Sequence, residues 1–173
     1  KMGTSIKLFG TSRMNGDQVF AWVAPLMIGK SHPLYAVNDV FNGIMVKGNM
    51  LGTSMFYGSG AGKLPTASAV VADIIEEAKN LHHNIPLGWT SEKQVIQPME
   101  DSSHKYFVRI SGVYESQKDK LQELLGTCQV ITLEGADEFA LLTEVLNEKQ
   151  FRDVKAAFEA ADGKVLQVIR AEV

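Results

Sequence analysis

Gly58, Gly60 and Gly62 stand at alternate positions in MFYGSGAGKLPTASAVVAD, residues 55–73, with only Ser59 and Ala61 between them. Without a Cβ, such residues let backbone amides come close to a ligand and leave positive φ open. Pro65 follows in what reads as the first turn of a helix, where its missing N–H costs nothing. A helix start carries unpaired N–H groups and a partial positive charge, which suits a phosphate, a carboxylate or the edge of a nucleotide. Two familiar glycine motifs fail on spacing. A Walker-A loop needs four residues between its glycines and then Gly-Lys-Ser/Thr, whereas three residues separate Gly58 from Gly62 and Leu64 follows Lys63. A dinucleotide fingerprint needs G-x-G-x-x-G within a βαβ unit, whereas the spacing here is G-x-G-x-G and no βαβ unit surrounds it. The passage reads either as an anion-binding corner or as a tight strand-to-helix connection.

Elsewhere the reactive residue types are scattered. His32 precedes Pro33 in a polar turn with no partner at metal spacing, and reads as a loop histidine. His82 and His83 are adjacent, so on a helix they do not face one another and make a poor metal pair; near a helix end they suit the dipole. No catalytic set and no metal-ligand set emerges. The single Cys128 cannot form an internal disulfide. A formal net charge of −3 with interspersed signs gives no basic face for nucleic acid or an anionic membrane. No apolar run approaches the roughly 20 residues of a membrane span. These features point to a cytoplasmic setting.

The elements that must position the corner follow from periodicity. Ile6–Ser12 and Gln18–Ile28 read as strands joined at Asn15-Gly16-Asp17. The second is apolar on both faces, Val19, Ala21 and Val23 on one and Phe20, Trp22 and Ala24 on the other, so both faces should be covered, by helices or by a second subunit. A helical turn is expected over Ala36–Phe41, a strand over Gly43–Lys47, and a strand over Leu51–Tyr57 that ends in the corner. From Pro65 to His83 one amphipathic helix carries Val71, Ile74, Ile75, Ala78 and Leu81 on a single face.

Residues 88–103 hold Gly88, Pro98 and polar residues without periodicity, and read as a linker after a first domain of residues 1–87. Beyond it, strand His104–Ile110, helix Gln117–Leu125, strands Cys128–Leu133 and Glu138–Thr143, helix Glu148–Ala161 and strand Lys164–Arg170 spell βαββαβ, a ferredoxin-like order over residues 104–173. Asn147 caps the second helix and Gly163 follows it. The fold class is α+β. A unit of this size has a marginal core and usually pairs with another.

VNDVFNGIMVKGNMLGTSMFYGSGAGKLPTASAVVADI, residues 37–74, resembles the homoserine dehydrogenase family, and YGSGAGKLPTASAVVADI is its most specific part. The strands from Ile6 look like that family's central region, and the βαββαβ unit is similar to the ACT regulatory domain that many bacterial members carry. The resemblance implies an NAD(P)-dependent oxidoreductase that interconverts aspartate semialdehyde and homoserine on the threonine and methionine pathway. It implies a mixed dimerisation sheet with a long helix and a homo-oligomer formed through that sheet or through the ACT-like domain. It also implies that the glycine turn touches the cofactor, through Gly60, Ala61 and Gly62.

Family members place a nucleotide-binding domain and the catalytic lysine and aspartate before the region matched here, so the chain is expected to be a C-terminal piece with no catalytic residue of its own, binding no NAD(P) and inactive alone. ACT domains usually carry an acidic residue and Pro-Gly after their first strand, where an amino-acid effector such as threonine binds. The corresponding Ser111–Ser116 has Gly112 but no proline. An ACT-like fold kept only for association therefore stands beside an effector site, and an autonomous amino-acid sensor stands as the alternative function.

Overall fold

Strand β1 (Thr4–Asn15) and strand β2 (Gln18–Gly29) pair antiparallel along their whole length, from Thr4 against Gly29 to Asn15 against Gln18. Gly16, the first of the two residues between them, has φ 60°, the conformation a tight hairpin turn asks of glycine. This computed structural model describes residues 2–84 and 86–173.

The chain forms two compact units, one of residues up to Gly29 with Gln94–Val173 and the other Lys30–Lys93. This grouping differs from the linear division read from the sequence, because Leu26–Ile28 of β2 pair parallel with Arg170–Glu172 of the last strand. The first unit holds β5 (Ser103–Ser111), α2 (Lys118–Leu125), β6 (Cys128–Thr132), β7 (Glu138–Thr143), the two-residue β8 (Leu146–Asn147), α3 (Glu148–Ala160) and β9 (Val165–Glu172). Its mixed sheet runs β1-β2-β9-β5-β7-β6, with β8 attached to β5. The β-α-β-β-α-β order expected after residue 103 is present, each element within three residues of its expected bounds.

Alternation in β5 explains the layering. His104, Tyr106, Val108 and Ile110 are buried in turn, and the last three meet Phe139 and Leu141 of β7 beneath Leu121 of α2 and Phe151 and Phe158 of α3. The opposite face of the sheet buries a smaller group, Met27, Leu142, Ile169 and Ala171. Asn147 caps α3 with a reciprocal box: its side chain accepts from Lys149 N at 2.9 Å while Gln150 Oε1 accepts from Asn147 N at 3.1 Å. Beyond α3 the left-handed residue is Asp162 (φ 62°), and Gly163 is required for another reason: a Cβ there would lie 2.4 Å from the Phe158 ring.

Among the described residues one face of β2 is covered along its length and the other only near its end, where Met27 is buried. Phe20, Ala24, Leu26 and Ile28 are buried, whereas Val23 is 73% exposed and lies beside Leu8, which is 74% exposed. Around Val23 the second covering expected from the sequence is not supplied by the described residues.

In the other unit, β3 (Phe41–Gly48) and β4 (Gly52–Ser59) form a hairpin that leads through the corner into α1 (Lys63–Lys79). The helical turn expected over Ala36–Phe41 falls earlier, at Pro33–Ala36, where Pro33 takes the first position and His32 Nδ1 accepts from Leu34 N at 3.1 Å. His32 is thus a capping residue, and burial lowers its pKa from 6.5. α1 starts two residues before Pro65 and stops at Lys79, where the Asn80 side chain bonds Glu76 O at 3.0 Å. His82 and His83 lie past its end, His82 with φ 67°.

Candidate functional site

The corner is built by β4 on one side and α1 on the other. Gly60 N donates to Val40 O at 3.2 Å, and the Gly60 backbone lies against the Asn42 side chain: a Cβ on Gly60 would fall 1.3 Å from Asn42 Nδ2. Asn42 pairs with Gly58 across the hairpin, which explains why a residue eighteen positions upstream of Gly60 shapes the turn. Nothing in the Gly-Ala-Gly pattern itself signals that contact.

Each glycine has a different reason to be there. At Gly58 a Cβ would meet nothing within 4 Å. Gly60 is needed for proximity, and Gly62 for conformation: its φ of 126° and ψ of 151° belong to a region that L side chains rarely enter. Gly62 is also the N-cap of α1, its carbonyl accepting from Thr66 N at 3.1 Å, and no side chain caps the helix. Gly60, Ala61 and Gly62 are all exposed, and the first amides of α1 have no partner within the helix.

Gly62→Ala is expected to cost about 1–3 kcal/mol through backbone strain, whereas Gly58→Ala stays within about 0.5 kcal/mol. Chemical denaturation of the two variants side by side checks this, and equal losses would contradict the assignment of strain to Gly62 alone.

No side chain of α1 is buried, and the predicted apolar face is open along its length, with Ile74 62% exposed. Helices in folded proteins draw most of their stability from packing such a face, which the described residues do not cover here. Among the described residues no cluster of histidine, cysteine or acidic side chains could hold a metal, and no helix is long and apolar enough to cross a membrane.

A second concavity lies in the other unit. A pocket of about 210 Å³ opens between α2 and β6, lined by Tyr114, Gln122, Thr127, Cys128 and Val130 among others. Burial, with a smaller contribution from Glu144, pushes the Cys128 thiol above its ordinary range, so it is a poor nucleophile. The nearby turn after β5 does not offer the Gly112 amide, which donates to Asp137 O at 2.9 Å, while Gln117 Nε2 donates to Ser111 O at 2.9 Å.

A family model described as homoserine dehydrogenase matches residues 1–75, from the start of the chain through the corner into α1. The homoserine dehydrogenase of Neisseria gonorrhoeae is 34% identical over 193 residues, covering 99% of this chain, and that of Bacillus subtilis 28% identical over 89% of it. By sequence and by structure the chain is similar to homoserine dehydrogenases. It spans 44% and 39% of those two relatives. The crystal structure of a homoserine dehydrogenase from Thiobacillus denitrificans superposes with a TM-score of 0.83 at 29% identity, covering 98% of this chain and 43% of that one. The Staphylococcus aureus enzyme at pH 6.0 gives 0.70 at 28% identity. The family is one of oxidoreductases, and the mixed sheet with three helices is the architecture shared with its solved members. Residues 76–173, and with them the whole βαββαβ unit, lie outside the stretch that the family model matches.

Proposed function

We propose that this chain is the C-terminal part of an NAD(P)-dependent homoserine dehydrogenase that interconverts L-aspartate 4-semialdehyde and L-homoserine in the cytoplasm, for threonine and methionine synthesis. What carries the reading is likeness over 98% of this chain to a structure of which it fills only 43%. Residues 1–87 then form part of the substrate and dimerisation domain, residues 88–103 the linker, and residues 104–173 a ferredoxin-like, ACT-type module.

The corner fits a backbone contact to the cofactor: the glycines are exposed, Gly58 leaves open space, and no side chain caps the helix start. Gly60, Ala61 and Gly62 would hold it. When bound in the whole enzyme, NAD(P) supplies the hydride acceptor or donor. This chain contributes shape and a helix start, and no acid, base or nucleophile. The open face of α1 is then the seat of the nucleotide-binding part, and the open face of β1–β2 that of a second copy. On its own the chain is expected to give no homoserine-dependent reduction of NAD(P)+ in a spectrophotometric assay, and clear turnover would sink the proposal. Light scattering is expected to give a mass above the 19.0 kDa of one chain, and a strictly monomeric mass would remove the dimer-sheet assignment.

The second reading, an amino-acid sensor, draws on the pocket between α2 and β6. Calorimetry with threonine distinguishes it: stoichiometric heat supports a sensor, and a flat titration leaves the unit as an association module.

A further inference from the structure

The distal half of the β1–β2 hairpin meets the rest of its unit through buried Phe20 and Ala24 and a short set of polar and ring contacts. Beyond the three residue pairs that β2 makes with β9, Val19 bridges to Ile96 with Gln97 N donating to Val19 O at 2.8 Å, Arg13 pairs with Glu172, and Trp22 meets His104. The last contact is edge-on, with ring centroids 5.2 Å apart and planes at 83°.

His104 is buried, and its surroundings define its protonation. Ser102 Oγ lies 2.9 Å from His104 Nε2 and 2.5 Å from Met99 O. The serine has one proton and the carbonyl can only accept, so the hydroxyl donates to Met99 O and accepts from the imidazole. The ring is therefore the neutral Nε2–H tautomer, and an added proton must go to Nδ1.

That proton would meet an unfriendly field. Arg170 on β9 and Arg13 on β1 both act against it. Glu148 on α3 acts in its favour, but that carboxylate already accepts from Tyr106 Oη at 2.9 Å and from Arg170 Nε and Nη2 at 2.9 and 2.8 Å. Glu172 is taken by Arg13, and Glu100 of the preceding turn by Arg152 at 3.2 Å; Asp101 and Lys105 flank the ring in sequence, and β8 presents only Leu146 and Asn147. The indole offers no relief, because the Arg13 guanidinium already sits 5.4 Å from the Trp22 ring centroid, and a second cation against the same ring adds repulsion.

We propose that His104 is an acid-sensitive joint: proton uptake at its imidazole releases the distal half of the β1–β2 hairpin from the β5–β9 part of its unit. Burial first, and Arg170 next, keep the pKa below 6.5, against the pull of Glu148. A folded state that favours the neutral ring keeps its full stability above pH 6.5 and loses it as pH falls toward the lowered value. The joint ties the β1–β2 hairpin, which lies within the stretch matched by the family model, to β5 of the same unit, so acid would loosen that hairpin.

The test uses the full chain with Trp89→Phe, which leaves Trp22 as the sole tryptophan. Acrylamide quenching of Trp22 is expected to be flat from pH 8 to 6.5 and to rise below it. Amide exchange, corrected for its intrinsic pH dependence, is expected to quicken in Gln18–Ala24 by up to about tenfold per pH unit while β5 and β7 keep their protection. His104→Gln retains a donor for Ser102 but cannot be charged, and should abolish both changes. A flat quenching profile in the parent, exchange that rises equally in β5 and β7, or a step that survives His104→Gln would overturn the proposal. If His104→Gln does not fold, the parent's exchange profile decides alone, hairpin-only quickening supporting the joint and uniform quickening refuting it.

Discussion

Phe151→Ala is expected to lower the unfolding free energy of its unit by about 3–5 kcal/mol, a large share of the roughly 5–15 kcal/mol that a domain has. Phe151 is buried and stacks on Tyr106 with centroids 3.9 Å apart and planes 8° from parallel, so truncation removes the ring that fixes α3 over β5. Tyr106 cannot swing into the gap, because its hydroxyl is tied to Glu148 at 2.9 Å. The lining of the space, Val108, Ile110, Leu121 and Phe158, is apolar and held by sheet and helix backbone, so collapse is limited and the cavity stays. A denaturant series is expected to show a lowered midpoint with little change in slope. A loss below about 1 kcal/mol would mean that the site collapses freely, contrary to this packing. Phe151→Leu keeps much of the volume and should recover most of the loss.

The elements around that cluster were legible in the sequence because each carried a local signal that agreed with its packing. The alternating residues of β5 and Phe151 and Phe158 of α3, the helix that Asn147 caps, meet in one core. Long-range pairing left no such mark. The double apolarity of β2 says that the strand has company but not which, and the parallel partner lies at Arg170–Glu172, near the far end of the chain. That is why the linear division at residue 87 and the grouping of the structure differ.

The corner was legible in place and only partly in detail. Gly62 takes the rare backbone conformation that a glycine permits, but Gly60 is there because Asn42 occupies its Cβ position, and no spacing rule encodes a neighbour on the paired strand. α1 starts two residues before Pro65, whose φ suits the third helical position as well as the first, both within the turn whose N–H groups have no partner. The helix end was read late because apolar spacing continues to Leu81, while Asn80 turns its side chain back to Glu76 O and stops the ladder.

Glu148→Ala is expected to cost about 2–4 kcal/mol, below the range for breaking a fully buried pair because the Glu148 and Arg170 side chains are each 23% exposed. The substitution strands two donors at once: the Arg170 guanidinium, which loses a two-pronged contact at 2.9 and 2.8 Å, and the Tyr106 hydroxyl, which is buried. It also removes a negative charge from the first turn of α3, where the helix dipole favours one. Arg170→Met alone should cost less, because the carboxylate left behind keeps Tyr106 and the helix start. The double substitution Glu148→Ala with Arg170→Met should therefore cost clearly less than the sum of the single ones. Alkaline titration gives an independent reading of the same pair. Burial, then the bond to Glu148, raises the Tyr106 pKa above its ordinary 10.0, so the stability it contributes is complete below pH 10 and falls as pH rises beyond it. Tyr106→Phe should flatten that alkaline fall at a cost of about 1 kcal/mol at neutral pH. Strictly additive energies in the cycle, or an alkaline fall unchanged in Tyr106→Phe, would show that Glu148 does not join β5, α3 and β9 as the geometry requires.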